Sequence, residues 1–166
     1  MKSKIIHYIK EIIFFLVTIT ILSNIISFYK SSDLNSQPLD ITTLSILNNS
    51  KFHIDDQKPI LIHFWATWCP TCRLEATNID KISQSFQVIT IAVKSGENNT
   101  IQNFLKNNNL HFKVHNDKDA ILAKTFNLSA YPTTFIYDKN RKLIFSDVGY
   151  TSTLGLYLRM LYAQLF

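Results

Sequence analysis

Residues 59–83, PILIHFWATWCPTCRLEATNIDKIS, pass from a β-branched and aromatic run straight into a proline-opened helical pattern. The run ILIHFWA has the length and composition of a buried central strand. Pro70 suits the first position of a helix, where its missing N–H would have no partner in any case. Leu74, Ile79 and Ile82 then recur on one side of the following segment. A strand that turns so quickly into a helix opens a βα unit, and this restricts the chain to α/β folds. Both cysteines, Cys69 and Cys72, sit at that turn, three positions apart.

The rest of the chain fits the same class. QVITIAV at 87–93 reads as a second buried strand, and 99–107 as a helix carrying Ile101, Phe104 and Leu105. A short strand is expected at 112–114 and a short helix at 119–126. Strands at 133–137 and 143–145 flank a turn at 138–141. Residues 41–47 and 51–54 can pair around Asn48-Asn49. In the last segment, 152–166, Leu154, Leu158, Leu161 and Leu165 repeat at helical spacing, with Leu156, Tyr157 and Met160 beside them. That stripe reads as the face packed on the sheet. The expectation is a central mixed sheet with an antiparallel edge, flanked by helices, over residues 41–166.

Residues 12–28, IIFFLVTITILSNIISF, carry no charge. With residue 29 the run approaches the roughly 20 residues that cross a hydrocarbon core, the hydroxyl side chains bonding back to the helix backbone. Lys2, Lys4 and Lys10 precede it, so the positive-inside rule places residues 1–11 in the cytoplasm and the remainder outside. A cleaved signal peptide is the rival reading, but no alanine occurs before Ala66 to form an A-x-A-like site. The expected organisation is therefore a cytoplasmic segment at 1–11, a transmembrane anchor at 12–29, a polar linker at 30–40 and one domain at 41–166. The net charge of +5 comes from 17 basic and 12 acidic residues, with no basic cluster interleaved with aromatics, which argues against nucleic acid as a partner.

Two cysteines so close together constrain the unfolded chain very little when bridged, so a purely structural disulfide is poorly served. At the start of a helix the unsatisfied N–H groups stabilise a thiolate, which makes Cys69 the candidate nucleophile and Cys72 the resolving thiol. The alternative is a copper or zinc handling module in which His111 and His115 complete the half-site offered by Cys69 and Cys72.

FWATWCPTCRLE together with SAYPTTF at 129–135 resembles the thioredoxin superfamily, whose redox motif and cis-proline loop the two stretches match. The anchor followed by WCPTCRLE is similar to its membrane-tethered periplasmic branch, the TlpA, ResA and DsbE types. The AVKSG strand end at 92–96 and VGYT at 148–151 resemble most the suppressor-of-copper-sensitivity D type. The resemblance implies a thioredoxin-like fold and a protein-disulfide oxidoreductase whose only redox group is the Cys69–Cys72 disulfide, with no bound cofactor and no metal. Cys69 would attack the substrate disulfide and Cys72 would resolve it. Pro132 would be cis, Tyr131 would pair its backbone with the substrate chain, and Trp68, Pro70 and Thr71 would line the rim. Implied partners are protein thiols and disulfides and an integral-membrane thiol reductase of the DsbD/ScsB type. The implied location is the bacterial inner membrane, single-pass, with the domain in the periplasm. The branch further implies roles in cytochrome c maturation or copper tolerance, although the loop lacks the Gly-Ala-Pro-Glu pattern of dedicated cytochrome c maturation proteins.

Two residues stand out against the pattern. His63 occupies the place, six before the first cysteine, where many thioredoxins carry a buried Asp. Strand alternation puts it on the face of Leu61 and Trp65, where it is either a neutral imidazole that accepts the Cys72 proton or a hydrogen-bonded core histidine. Glu75 follows Cys72 by three, about one helical turn. It is either a tuning acid for the pair or a solvated helical glutamate.

Overall fold

The computed structural model describes residues 2–31, 34, 35 and 37–165, with the side chains of 2–5, 16, 23, 24 and 26–31 outside that set. In chain order the elements are α1 (Lys2–Ser31), β1 (Thr43–Ser45), β2 (Lys51–His53), β3 (Ile60–Trp65), α2 (Pro70–Ser83), β4 (Gln87–Val93), α3 (Asn98–Asn107), β5 (Val114–Asp117), α4 (Ile121–Thr125), β6 (Thr133–Tyr137), β7 (Leu143–Val148) and α5 (Thr153–Gln164).

All six residues of β3 are buried, because β3 is the middle strand of a five-stranded sheet ordered β5-β4-β3-β6-β7. β3 runs parallel to β4, and β4 to β5, whereas β6 is antiparallel to β3 and β7 to β6. β1 and β2 form a separate antiparallel hairpin. Alternation along β3 feeds two core layers. Leu61 and Trp65 pack with Ile79 and Ile82 of α2 and with Leu156 and Met160 of α5. Ile62 and Phe64 pack on the opposite face with Ile89, Ile91, Phe126 and Phe135. This is a thioredoxin-like α/β fold, as expected from the sequence.

Four local expectations need correction. The third parallel strand starts at Val114 rather than 112, because the N–H groups of His111 and Phe112 are bound by Asp80 of α2, at 2.5 and 3.1 Å. β7 does not stop at Phe145. Ser146, Asp147 and Val148 stay in register with Phe135, Thr134 and Thr133. In α5 the leucine stripe faces outward: Leu154, Leu158 and Leu165 are 67%, 56% and 79% exposed, whereas Leu156, Met160 and Ala163 are buried. Two apolar stripes compete on this helix, and the i, i+4, i+7 set 156-160-163 is the one turned to the sheet. Finally, the described part of the expected linker docks on the domain. Leu34 and Leu39 are buried, the Asn35 N–H donates to the Phe126 carbonyl at 3.2 Å, and the Leu39 N–H donates to that of Arg141 at 2.9 Å.

α1 is a 30-residue helix. Its Thr18 hydroxyl donates to the Phe14 carbonyl at 2.8 Å, as a hydroxyl within an apolar helix does. Among the described residues, no helix is long and apolar enough to cross a membrane. The span expected over 12–29 includes side chains at 16, 23, 24 and 26–29 that lie outside the described residues.

Candidate active site

Between the end of β3 and the start of α2, residues 66–69 make one tight turn, in which the Cys69 N–H donates to the Ala66 carbonyl at 3.2 Å. Arg73 Nε donates to the Thr67 carbonyl at 2.9 Å, and the Thr67 N–H donates to Ser95 Oγ at 3.0 Å, tying the turn to the loop after β4. Cys69 is the residue that caps α2. Its backbone is extended (φ −84°, ψ 116°), and its Sγ accepts the Cys72 N–H at 3.2 Å. Pro70 follows at the first helical position, as the sequence requires. Cys69 and Cys72 are joined in a disulfide with a Cα–Cα distance of 5.3 Å. Cys69 is 5% exposed and Cys72 1%, so Cys69 is the more accessible residue of the two. With the bridge open, the positive end of α2 acts on Cys69 and favours its thiolate.

The second half of the site comes from the loop before β6. The Tyr131–Pro132 bond is cis. Pro132 is buried, and the Tyr131 carbonyl oxygen lies 3.7 Å from Cys69 Sγ. Trp68 is 56% exposed and stands edge-to-face on Tyr131 at 5.9 Å, its Nε1 donating to the Lys94 carbonyl at 3.1 Å. Pro70 is exposed and Thr71 half-buried on the same rim. Trp65 is instead a core residue, with Nε1 donating to Thr90 Oγ1 at 3.1 Å.

His63 is buried and its Nδ1 lies 2.9 Å from Thr134 Oγ1. Burial lowers its pKa to about 3, which leaves a neutral ring of low basicity at pH 7. Glu75 is fully buried rather than solvated. Its Oε1 accepts the Thr151 N–H at 3.1 Å, and its Oε2 is buried without a partner. Burial raises its pKa to about 8, with the charge of Asp147 adding to the rise against the pull of the Thr151 N–H. Glu75 therefore stays protonated near neutral pH.

The histidines of the metal alternative are spoken for elsewhere. His111 Nδ1 lies 3.6 Å from Asp80 Oδ2, and His115 Nδ1 lies 2.7 Å from the Ser45 carbonyl. Among the described residues, no three His, Cys, Asp or Glu side chains are gathered as a metal site. Sequence reasoning missed Asp147 and Arg159, which meet at 3.1 Å beside Glu75's surroundings. The available signal was one carboxylate in the apolar strand LIFSDV and one guanidinium in a leucine-rich helix.

A helix-capping cysteine bridged one turn on, facing a cis-proline loop on this sheet, defines the class of thioredoxin-like thiol:disulfide oxidoreductases. Residues 39–146 match the AhpC/TSA family, and the chain belongs to it. A thioredoxin-like protein of Haemophilus influenzae is 28% identical over 90% of this chain and 91% of its own length. The thiol:disulfide interchange protein DsbE of Yersinia pestis is 34% identical, over 57% of this chain and 50% of that protein. The thiol-disulfide oxidoreductase ResA of Bacillus thuringiensis is 31% identical, over 59% and 60%. The chain thus spans only about half of the DsbE and ResA relatives. Among solved structures, StoA of Bacillus subtilis superposes with a TM-score of 0.66 at 19% identity, covering 75% of this chain and 98% of StoA. At that identity the likeness concerns the fold.

Proposed function

We propose that the chain is a membrane-anchored extracytoplasmic thiol:disulfide oxidoreductase, working through its CPTC pair as a reductant of periplasmic protein disulfides. The observation that carries this reading is the position of Cys69 Sγ, at the N-terminus of α2 and 3.7 Å from the Tyr131 carbonyl of the cis-proline loop. In the reduced protein the Cys69 thiolate attacks one sulfur of a substrate disulfide, and the other substrate sulfur leaves as thiolate. The Tyr131 backbone pairs with the substrate chain, while Trp68, Pro70 and Thr71 form the rim against it. Cys72 then attacks Cys69 Sγ and releases the second substrate thiol. The dithiol supplies both electrons, so the exchange needs no cofactor or metal. Glu75, buried on α2 one turn after Cys72, tunes the pair, and His63, held neutral by burial, has a packing role.

The reducing direction rests on the resemblance to the membrane-tethered branch and its suppressor-of-copper-sensitivity D type. So do the periplasmic location and a DsbD/ScsB-type membrane reductase that returns the electrons. Cytochrome c maturation and copper tolerance are the two settings that branch offers. The anchor is supported by the uncharged run at 12–28 and by α1, whose Phe14, Phe15, Ile19, Leu22 and Ile25 all stand exposed. It is further supported by three lysines before the run and Glu11 as the single acid there.

Equilibration of the full chain in detergent with a glutathione series tests the direction. A potential well below about −200 mV fits a reductant, and one near about −120 mV would make it an oxidant. Cys69→Ser is expected to abolish exchange and Cys72→Ser to accumulate mixed disulfides, read by non-reducing electrophoresis. A normal exchange rate in Cys69→Ser would remove the reading. Release of the chain from membranes by alkaline carbonate would remove the anchor.

A further inference from the structure

The outward face of α5 is unlike that of an ordinary solvated helix. Leu154, Tyr157, Leu158, Leu161, Tyr162 and the terminal Leu165 all stand exposed along it. α3, by contrast, exposes Asn99, Gln102, Asn103 and Lys106. Between residues 148 and 166 the single charged side chain is Arg159, and Asp147 engages it at 3.1 Å. The two tyrosines are braced by neighbours, Tyr157 edge-to-face on Phe86 at 5.2 Å and Tyr162 edge-to-face on Phe145 at 5.5 Å. Among the described residues from Leu34 onward, more large apolar side chains are exposed on this one helix and its end than everywhere else together. A contiguous apolar surface of this kind marks a contact site.

The length of chain between the anchor and the domain argues for what covers it. α1 ends at Ser31, and Leu34 is already buried in the core layer of Phe64 and Phe126. Three residues reach at most about 11 Å. A domain tied that closely to a helix inserted in a bilayer rests on the bilayer surface. α1 also lies against β7, the edge strand whose Phe145 and Asp147 receive α5. α1 and α5 thus meet the domain at the same strand. The chemistry of the face fits a lipid surface: leucines suit the acyl boundary, tyrosines suit the headgroup level, and no carboxylate on the face repels anionic headgroups. With α1 inserted, the local concentration of lipid is high, so one short interfacial helix suffices.

We propose that the outward face of α5 is a membrane-docking surface, seated on the same bilayer that holds α1. The inference rests on the anchor reading above and adds how the domain lies on the membrane. α5 packs against α2, the helix that Cys69 caps. Seating α5 therefore holds the cysteine pair in one orientation over the bilayer, and a thiol donor embedded in that bilayer meets Cys69 in that orientation.

The test places an indole on the face and asks whether lipid reaches it. Full-length Leu158→Trp is reconstituted in vesicles of phosphatidylethanolamine and phosphatidylglycerol with ordinary or brominated acyl chains, the natural chain supplying the baseline of Trp65 and Trp68. An interfacial helix sits about 5–10 Å into the boundary, so the added indole is expected to lose about half its emission to the bromines. Ile121→Trp, exposed on α4 across the sheet, is expected to keep its emission. If Leu158→Trp does not fold, Leu161→Trp repeats the measurement. Equal quenching at both sites would mean only that the domain is near lipid, and overturns the proposal. Blue-shifted emission at 158 without quenching assigns the face to a second copy or another protein, and also overturns it. Unquenched emission from a chain that alkaline carbonate leaves in the membrane overturns this inference alone. Release of the chain by carbonate overturns the anchor reading itself.

Discussion

Trp68 is the residue whose placement bears most directly on recognition. A large aromatic 56% exposed beside a reactive sulfur, braced by Tyr131 and by the Lys94 carbonyl, is surface held ready for a partner chain. Trp68→Ala is expected to slow exchange with a folded protein disulfide by about tenfold, the worth of one modest aromatic contact. Exchange with glutathione disulfide, too small to span the rim, should barely change. Comparing the two rates in one preparation checks this, and an equal loss on both would place Trp68 in the chemistry rather than the docking. Residues whose meaning lies in local chain geometry were legible in the sequence. Cys69, Pro70 and Cys72 follow from the helix start, whereas Pro132 is implied by the resemblance of SAYPTTF to a cis-proline loop. Glu75 was singled out, but its burial was not legible, because a glutamate on a helix is ordinarily solvated. Its burial is imposed by the loop after β7, which delivers the Thr151 N–H from 76 residues away.

The elements show the same division. β3, α2 and β4 announce themselves, since each is long for its kind and has one unambiguous apolar pattern. α5 carries two apolar stripes, and helical periodicity alone gives no reason to choose between them. The choice is made by the sheet, through Arg159 meeting Asp147 and Phe145 packing edge-to-face on Tyr162. The two registers make opposite claims about stability. Leu156→Ala and Met160→Ala should each cost about 2–5 kcal/mol, because a cavity opens between α5 and α2. Leu158→Ala, on the 56% exposed face, should stay within about 0.5 kcal/mol. Urea titrations of the three variants decide the matter, and the reverse ranking would mean that the helix is rotated. β5 was misplaced for a related reason. The carboxylate of Asp80 takes the two N–H groups that a strand from 112 would need, and no local pattern at 112 records a partner 32 residues earlier.

At the scale of the whole molecule, two buried titratable groups pull the stability in opposite directions as pH changes. His63 has its pKa lowered from 6.5 to about 3 by burial. Its contribution is complete above pH 6.5 and is lost as pH falls towards 3, because the unfolded chain then binds a proton that the folded one refuses. Glu75 has its pKa raised from 4.5 to about 8, chiefly by burial. Its contribution is complete below pH 4.5 and is lost as pH rises towards 8, because the unfolded chain releases a proton that the folded one keeps. Asp147, raised by burial against the pull of Arg159, acts in the same sense as Glu75. Between pH 4.5 and 6.5 the His63 and Glu75 slopes oppose each other, so the oxidised protein should be most stable across that interval. Above it the His63 slope is spent and the glutamate slope is unopposed. At about 1.4 kcal/mol per pH unit per proton, the fall from pH 6.5 to 8 should approach ~2 kcal/mol. Urea denaturation at a series of pH values, with the disulfide intact, measures the curve. Glu75→Gln should flatten the alkaline side and leave the acid side, and His63→Gln should do the opposite. A natural chain whose stability keeps rising through pH 8 would mean that Glu75 is ionised in the folded protein.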